Sequence, residues 1–344
     1  MNARGSALLA ALLLMALAGL VASELAELGR RALARARLDR DGARAWYLAE
    51  AGLADVAAGL PSGHAFTDAL ATAPAPPPPS GDPWTWGAGF ADDADETPRD
   101  DLRDGNARVI LYVNAFGPPP VRRRLEALIG RESAPLQPGA LVLTGDLRSL
   151  TPDFSLDGRD FDMASGCTAL GPGPARPGLT LPEDAGLPVL THPERIVGRG
   201  LAPSIARREA PSFAEVEDDA RATRLAPGPL PATLGDLAAP RFMIVDGDAV
   251  ADRSSAGAGV LYVTGRLRVA SRLAFTGMLA TAGGIDVAPG ATLEVCGGAW
   301  AAGAPAVAVD GAGFVRASDG ALRLAATLAP LPARARIVAV REAP

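Results

Sequence analysis

Four aspartates crowd the stretch DFSLDGRDFD: Asp153, Asp157, Asp160 and Asp162. Carboxylates this close could supply the oxygen shell of a Ca²⁺ ion, or the acid pair that cleaves a glycosidic bond. Their spacing does not match an EF-hand loop. Aspartate is also the residue that accepts backbone hydrogen bonds in turns, and an Asp-rich turn is the expectation for this stretch. The two histidines, His64 in PSGHAF and His192 in LTHPER, have no serine or cysteine beside them in a nucleophile–base arrangement and read as surface residues. No Gly-x-Ser-x-Gly elbow, phosphate loop or His-Glu-x-x-His pair occurs. The two cysteines, Cys167 and Cys296, are too few for a zinc site, which takes about four N/S ligands. They could form one bridge in an oxidising compartment or remain two thiols, and the sequence leaves both open. No catalytic residue, metal or cofactor is expected, and the chain does not read as an enzyme.

The elements that would position any site are legible from composition. Of 344 residues 48% are hydrophobic but only 5% aromatic, so Ala, Leu and Val carry the apolar share. Gly and Pro, 39 and 31 residues, are too frequent for a helical bundle and suit turn-rich β-structure. A net charge of -6 argues against nucleic acid as a partner, because phosphates demand a basic face. The run Arg122-Arg123-Arg124 reads as one solvated strand face.

The N-terminus is different in kind. GSALLAALLLMALAGLVAS is uncharged from Ser6 to Ser23, just long enough to cross about 30 Å of hydrocarbon at 1.5 Å per residue. It is also short enough for the apolar core of a secretion signal, with Val21-Ala22-Ser23 as a passable cleavage site. The residues after Ser23 favour a retained anchor. Helix formers run on without a proline to Leu60. Glu27 can pair with Arg31, and Arg37 with Asp41. The stripe Gly42, Ala45, Ala49, Leu53, Val56 and Leu60 recurs every three or four residues and makes one apolar face. Together these make about 55 helical residues, roughly 80 Å, which need lipid at one end and packing partners along the rest.

A very short polar leader, MNARG, a greasy half-helix and then ARAWYLAEAGLADV at 43–56 resemble the N-terminus of type IV pilin-like proteins, and among them the PilX family of minor pilins and pilus assembly proteins. That resemblance covers about the first sixty residues. It implies cleavage between Gly5 and Ser6 by prepilin peptidase, a helix-packing motif at Trp46, Tyr47, Ala49, Glu50, Ala51, Gly52 and Leu53, and partners among other pilin subunits, the inner-membrane assembly platform and the lipid bilayer. Major pilins begin the mature chain with Phe and carry Glu at its fifth position, where this sequence has Ser6 and Ala10. Lacking that acid, the subunit leaves a neighbour's buried amine unpaired, a costly arrangement that suits priming or the tip better than the shaft. The small residues Ala49, Ala51 and Gly52 invite close approach of the chain's own head.

Beyond Pro61 the chain reads as a linker over 61–105: ATAPAPPPPSGDP, extended by its prolines, then ADDADETPRDD, an acidic solvated loop. From 106 to 344 the period becomes two. ARVILYVNAF and VRRRLEALIG flank GPPP as a hairpin. GALVLTGDL and FSLDGRDF read as further strands. PSFAEVEDDARATRL reads as one helix, with Ser212 and Glu215 as a capping box. From Arg241 onward short apolar strands are broken by Gly, with Leu267/Val269, Ile285/Val287, Leu293/Val295 and Val307/Val309 in pairs two apart; Cys296 falls on the opposite face from Val295. Stacked rungs of a β-solenoid fit this pattern better than a tightly wound sandwich.

The expected architecture is therefore α+β: a leader (1–5), a pilin-like helix (6–60, spanning the membrane over about 6–23), a linker, and a mainly β extracytoplasmic head, solenoid-like in its C-terminal part. The expected role is that of a minor pilin or pilus assembly protein, anchored in the inner membrane and displayed at the cell surface after assembly. Alternatives are a tip pseudopilin of a type II secretion system, or a secreted β-helical adhesin or enzyme with a cleaved signal.

Overall fold

The computed structural model describes residues 3–60, 63, 65–71, 84–93, 104, 106–132, 135–183, 185, 190–208 and 213–343, with side chains from Leu12 onward. The proline run at 72–83, the acidic residues 94–103, His64 and Ser212 lie outside the described residues, as do the side chains of Gly5, Ser6 and Ala10. The chain forms two compact units, one of residues 1–60, 66–130 and 337–344, the other of 61–65 and 131–336.

The first unit is built on one unbroken helix, α1 (Ala3–Gly59), 57 residues long. The expected hairpin is present as β2 (Arg108–Phe116) and β3 (Arg122–Arg131), antiparallel with Phe116 opposite Arg122. Period-two patterning decides which face is covered: Val109, Leu111 and Val113 of β2 lie opposite Ile129, Ala127 and Leu125 of β3, all fully buried. Two strands join them that the sequence pattern did not reveal. Strand β1 (Thr85–Asp92) pairs antiparallel with β2, and β4 (Ala335–Ala343) lies against β3. β4 also runs antiparallel: Arg123 meets Glu342, Glu126 meets Arg341, and Gly130 faces Val338.

The linker expected over 61–105 is thus corrected, because 85–92 is a sheet strand. Its TWGAGFAD composition hides the alternation, small residues standing where a helix approaches. At the start of the acidic stretch Asp92 is buried, and just beyond that stretch a second aspartate is buried as well. Asp104 is buried, and its carboxylate accepts the backbone N–H groups of Phe66 (2.6 Å), Asn106 (3.0 Å) and Arg108 (3.2 Å).

The second unit is a parallel β-solenoid. In each full coil a long strand, such as Ser255–Val263, Arg272–Thr281 or Thr292–Ala301, alternates with a short one, such as Leu267–Val269, Ile285–Val287 or Val307–Val309. Leu267 stacks on Ile285, and Ile285 on Val307, so a coil takes about twenty residues. The pairs two apart read from the sequence all point inward, into one core of stacked Leu, Val and Ile. Each long strand bends midway at Gly259, Gly277 or Gly297, which are in register with φ of +117°, +131° and +140°. A Cβ on Gly277 would run into the carbonyl of Gly259 on the neighbouring coil, and one on Gly297 into that of Gly277. The bend therefore requires glycine three times over.

The order of coils along the solenoid is not the order of the chain. From one end the stack runs 223–225, 241–245, 260–263, 278–281 and 298–301. It continues with Leu141–Leu143, Leu179–Leu181 and Ile205–Arg207, although these precede it in sequence. The join is made on all three faces: Ala299–Ala301 against Leu141–Leu143, Val307–Val309 against Leu147–Leu150, and Gly313–Arg316 against Phe154–Asp157. The solenoid is circularly permuted, the chain entering and leaving at an internal seam.

One face of the solenoid is covered from outside. Phe213 stacks on Trp300 (4.5 Å between ring centres) and lies parallel to Tyr262 at 6.2 Å, and this cluster also takes in Leu322, Ala325 and Leu331. Leu322 and Ala325 belong to a helix, Asp319–Ala326, capped by Ser318, whose hydroxyl accepts the Ala321 N–H. The Tyr262 hydroxyl donates to Glu217 (3.1 Å), and burial, reinforced by the Glu217 charge, pushes its pKa well up. The helix expected over 211–225 is corrected. Only Ala214–Glu217 is helical, capped by Phe213 without a side-chain bond, and Thr223–Leu225 joins the sheet instead. Burial of Phe213 and Val216 and strand pairing at 223 outweigh helix propensity there.

Candidate functional site

α1 carries two different surfaces along its length. From Leu12 to Val21 every large apolar side chain is more than half exposed, and so are Leu25, Leu28, Leu33 and Leu38. This part of the helix is long and apolar enough to cross a membrane. Leaving the seven large apolar side chains of 12–21 in water would forgo about 10–20 kcal/mol of transfer free energy at ~1.5–3 kcal/mol each. That is comparable to the whole stability of a domain, about 5–15 kcal/mol.

The surface polar pairs depend on orientation. Glu27 pairs with Arg31 (3.1 Å) as expected from their i, i+4 spacing. Asp41 pairs with Arg40 (3.0 Å) rather than with Arg37, a correction consistent with the weaker Arg-before-Asp orientation at i, i+4.

The second half of α1 is built into the core. Gly42, Ala45, Ala49, Gly52 and Leu53 are buried, Val56 and Leu60 half-buried, and the helix lies over β1 and β2. Gly52 touches Trp86: a Cβ there would stand 2.7 Å from Cδ2 of the indole. The Arg44 guanidinium lies over the ring of Trp84, 4.6 Å from its centre.

The packing motif therefore divides into two faces. Ala49, Gly52 and Leu53 point inward and Trp46 is half-buried, whereas Tyr47, Glu50 and Ala51 are exposed. Ala51, expected among the close-packing small residues, does not pack. It stands two residues, about 200° of helical rotation, from Ala49, and so faces away. Only the 3.6-residue period separates it from Gly52. Replacing Gly52 by Val should cost about 1–3 kcal/mol by driving a side chain into Trp86. Replacing Ala51 by Val should change stability by no more than about 0.5 kcal/mol. Thermal melts of the two variants check this.

The other groups singled out in the sequence make contacts within the fold. Cys167 and Cys296 form a disulfide with Cα atoms 5.8 Å apart, against Phe161. The loop carrying Cys167 is held by Arg316 as well, which donates to the Cys167 carbonyl (2.8 Å) and stacks between Phe161 and Phe314. The aspartates support local turns. Asp160 accepts the N–H groups of Gly173 (2.7 Å) and Asp319 (2.8 Å), Asp162 that of Ala164 (3.1 Å), and Asp157 binds Arg159 in a bidentate fork. Hydrogen bonding to Asp157 raises the Arg159 pKa further. No group of three metal-ligating side chains gathers among the described residues. His192 Nδ1 lies 3.2 Å from Glu194, in an exposed setting. The arginine run is not one solvated face: Arg122 donates to Asn114 (3.1 Å), Arg123 pairs with Glu342 (2.7 Å) and Arg124 with Glu126 (2.9 Å). The Glu126 carboxyl, hydrogen-bonded by Arg341 above all and paired with Arg124, is held below its ordinary pKa.

Among solved structures, the competence-associated pilin ComZ from Thermus thermophilus aligns over 76% of this chain and 84% of that one at 12% identity, with a TM-score of 0.25, too low to establish either fold or function. No family model matches the chain, and no curated protein matches it.

Proposed function

We propose that the chain is a pilin-like subunit whose work is packing rather than catalysis. The observation that supports this reading best is α1 itself. One continuous helix is exposed and apolar from Leu12 to Val21 and is a core element of the sheet's unit from Gly42 to Leu53. A discarded signal has no reason to continue without a break into the helix on which the sheet is built. In this reading prepilin peptidase cuts between Gly5 and Ser6. The anchor stays in the inner membrane with the head on the far side, and later enters a bundle of like helices from other pilin subunits at the assembly platform. The outward residues Tyr47, Glu50 and Ala51 are then free to meet neighbouring helices, while Ala49, Gly52 and Leu53 hold the head. With Ala10 where an acid would pair a neighbour's amine, the subunit fits priming, as a PilX-like minor pilin, better than repetition along a shaft.

Mass spectrometry of the N-terminal peptide of the chain purified from membranes tests this. A start at Ser6 is the expected result. A start at Glu24 means that the apolar segment is removed as a signal, and the proposal fails.

A further inference from the structure

Within the part of the solenoid built in chain order, the backbone itself passes from one coil to the next, about twenty residues on. The internal seam has no such link: Leu141 pairs with Ala299 and Phe154 with Gly313, partners about 160 residues apart in the chain, and docking them costs the closure entropy of a loop that long. Side chains bridge the join. Buried Gln137 donates through Nε2 to the carbonyls of Ala140 (3.3 Å) and Ala299 (3.0 Å), and the Thr151 hydroxyl donates to that of Gly311 (2.6 Å). The disulfide bridges it as well, across a sequence separation of 129. Cys296 stands on Thr292–Ala301, the last long strand of the stack built in chain order, and Cys167 on the loop between Phe154–Asp157 and Leu179–Leu181. That loop is shaped by its own residues. The Cys167 N–H reaches the Asp162 carbonyl (3.1 Å), and the Ser165 hydroxyl accepts the N–H groups of Thr168 (3.2 Å) and Ala169 (3.1 Å). Both cysteines are buried, and the chain has no others.

We propose that the Cys167–Cys296 bond is a redox latch on the seam, supplying there the covalent tie that the backbone supplies between the other coils. With both thiols reduced, the segment 141–207 docks on and leaves the finished stack of 223–317. With the bond formed, the undocked state loses most of its freedom and the seam stays shut. Closing the latch joins the two Sγ atoms and removes two protons and two electrons from the thiols. The disulfide of an oxidoreductase takes them up by thiol–disulfide exchange and leaves as a dithiol. Such donors act outside the cytosol, whose thiol pools keep cysteines reduced. The solenoid therefore stays open at its seam until the head has crossed the membrane. Burial of both sulfurs then shields the closed bond from further exchange. For where the latch closes, this inference rests on the pilin-like reading with its extracytoplasmic head, and it adds a control on when that head is complete.

Hydrogen exchange of the full-length chain in detergent, read by mass spectrometry, compares the oxidised parent with the double variant Cys167→Ala, Cys296→Ala. Amides of Leu141–Leu143, Phe154–Asp157 and Leu179–Leu181 should exchange roughly 30- to 1,000-fold faster in the variant, the range for loss of a disulfide that closes a long loop. Those of 241–245, 260–263 and 278–281 should keep the parent's protection. Equal protection of the seam in both chains overturns the proposal. So does a variant that loses every coil together or fails to fold, because seam and stack would then be a single unit. A second measurement reads the state in the cell: membranes are precipitated in acid, denatured and alkylated with a maleimide carrying polyethylene glycol. The parent should gain mass only after prior reduction. Gain without reductant means free thiols, which overturns the latch together with the extracytoplasmic placement of the head. A bonded parent whose variant exchanges no faster at the seam sinks the latch alone and leaves the pilin-like reading standing.

Discussion

Deleting residues 6–23 moves the chain from the membrane to the soluble fraction while leaving the head folded. The reason is quantitative. The deleted residues include all seven large apolar side chains of 12–21, whose transfer out of water is worth about 10–20 kcal/mol. From Glu24 to Arg40 α1 is charged and makes little contact with the head, so its loss of anchor strains nothing. The cut must not go further. Removing everything up to Leu60 strips Ala45, Ala49 and Leu53 from the sheet and uncovers apolar surface on β1 and β2, so this longer truncation aggregates. Membrane fractionation and circular dichroism of the two truncations give the measurement. A 6–23 deletion that remains membrane-bound would contradict the role assigned to this helix. So would a soluble, cooperatively melting chain starting at residue 61, because it would mean that the second half of α1 is not part of the core.

The second large effect lies in the solenoid. Gly277→Ala should destabilise it by about 2–6 kcal/mol: about 1–3 for placing a side chain at φ +131°, and as much again for the collision with the Gly259 carbonyl. For a unit of this size that lowers the melting temperature by on the order of 10 °C. Ser271→Ala, at a half-buried bend between strands of the same coil, should stay within about 0.5 kcal/mol of the parent. A melt of Gly277→Ala indistinguishable from the parent would mean that neighbouring coils can separate at the bend without cost. The register of Gly259, Gly277 and Gly297 would then be incidental.

Much of the fold was legible in particular residues. The uncharged run 6–23 and the stripe Gly42, Ala45, Ala49, Leu53 announce α1, because a helix writes its buried face into the sequence every 3.6 residues. Val109, Leu111 and Val113 announce β2 in the same way with period two. The inward pairs from Leu267 to Val309 announce stacked rungs. Elsewhere the signal was short or overruled. β1 is too rich in glycine and alanine to alternate visibly. The helix Asp319–Ala326 offered only Ser318 as a cap, and the stretch after Phe213 has helical composition but yields to aromatic burial and strand pairing.

Local elements and their buried faces are thus written in the chain: one long two-part helix, a hairpin and a ladder of glycine-punctuated strands. Which segments pair is a property of the assembled fold. β4 returns from the far end of the chain to lie beside β3, Leu141–Leu143 stacks on Ala299–Ala301, and Cys167 meets Cys296. The difference has a simple cause. A periodic pattern reports the environment on either side of one segment, whereas the partner across a sheet is chosen by long-range packing, which leaves no mark on the segment itself.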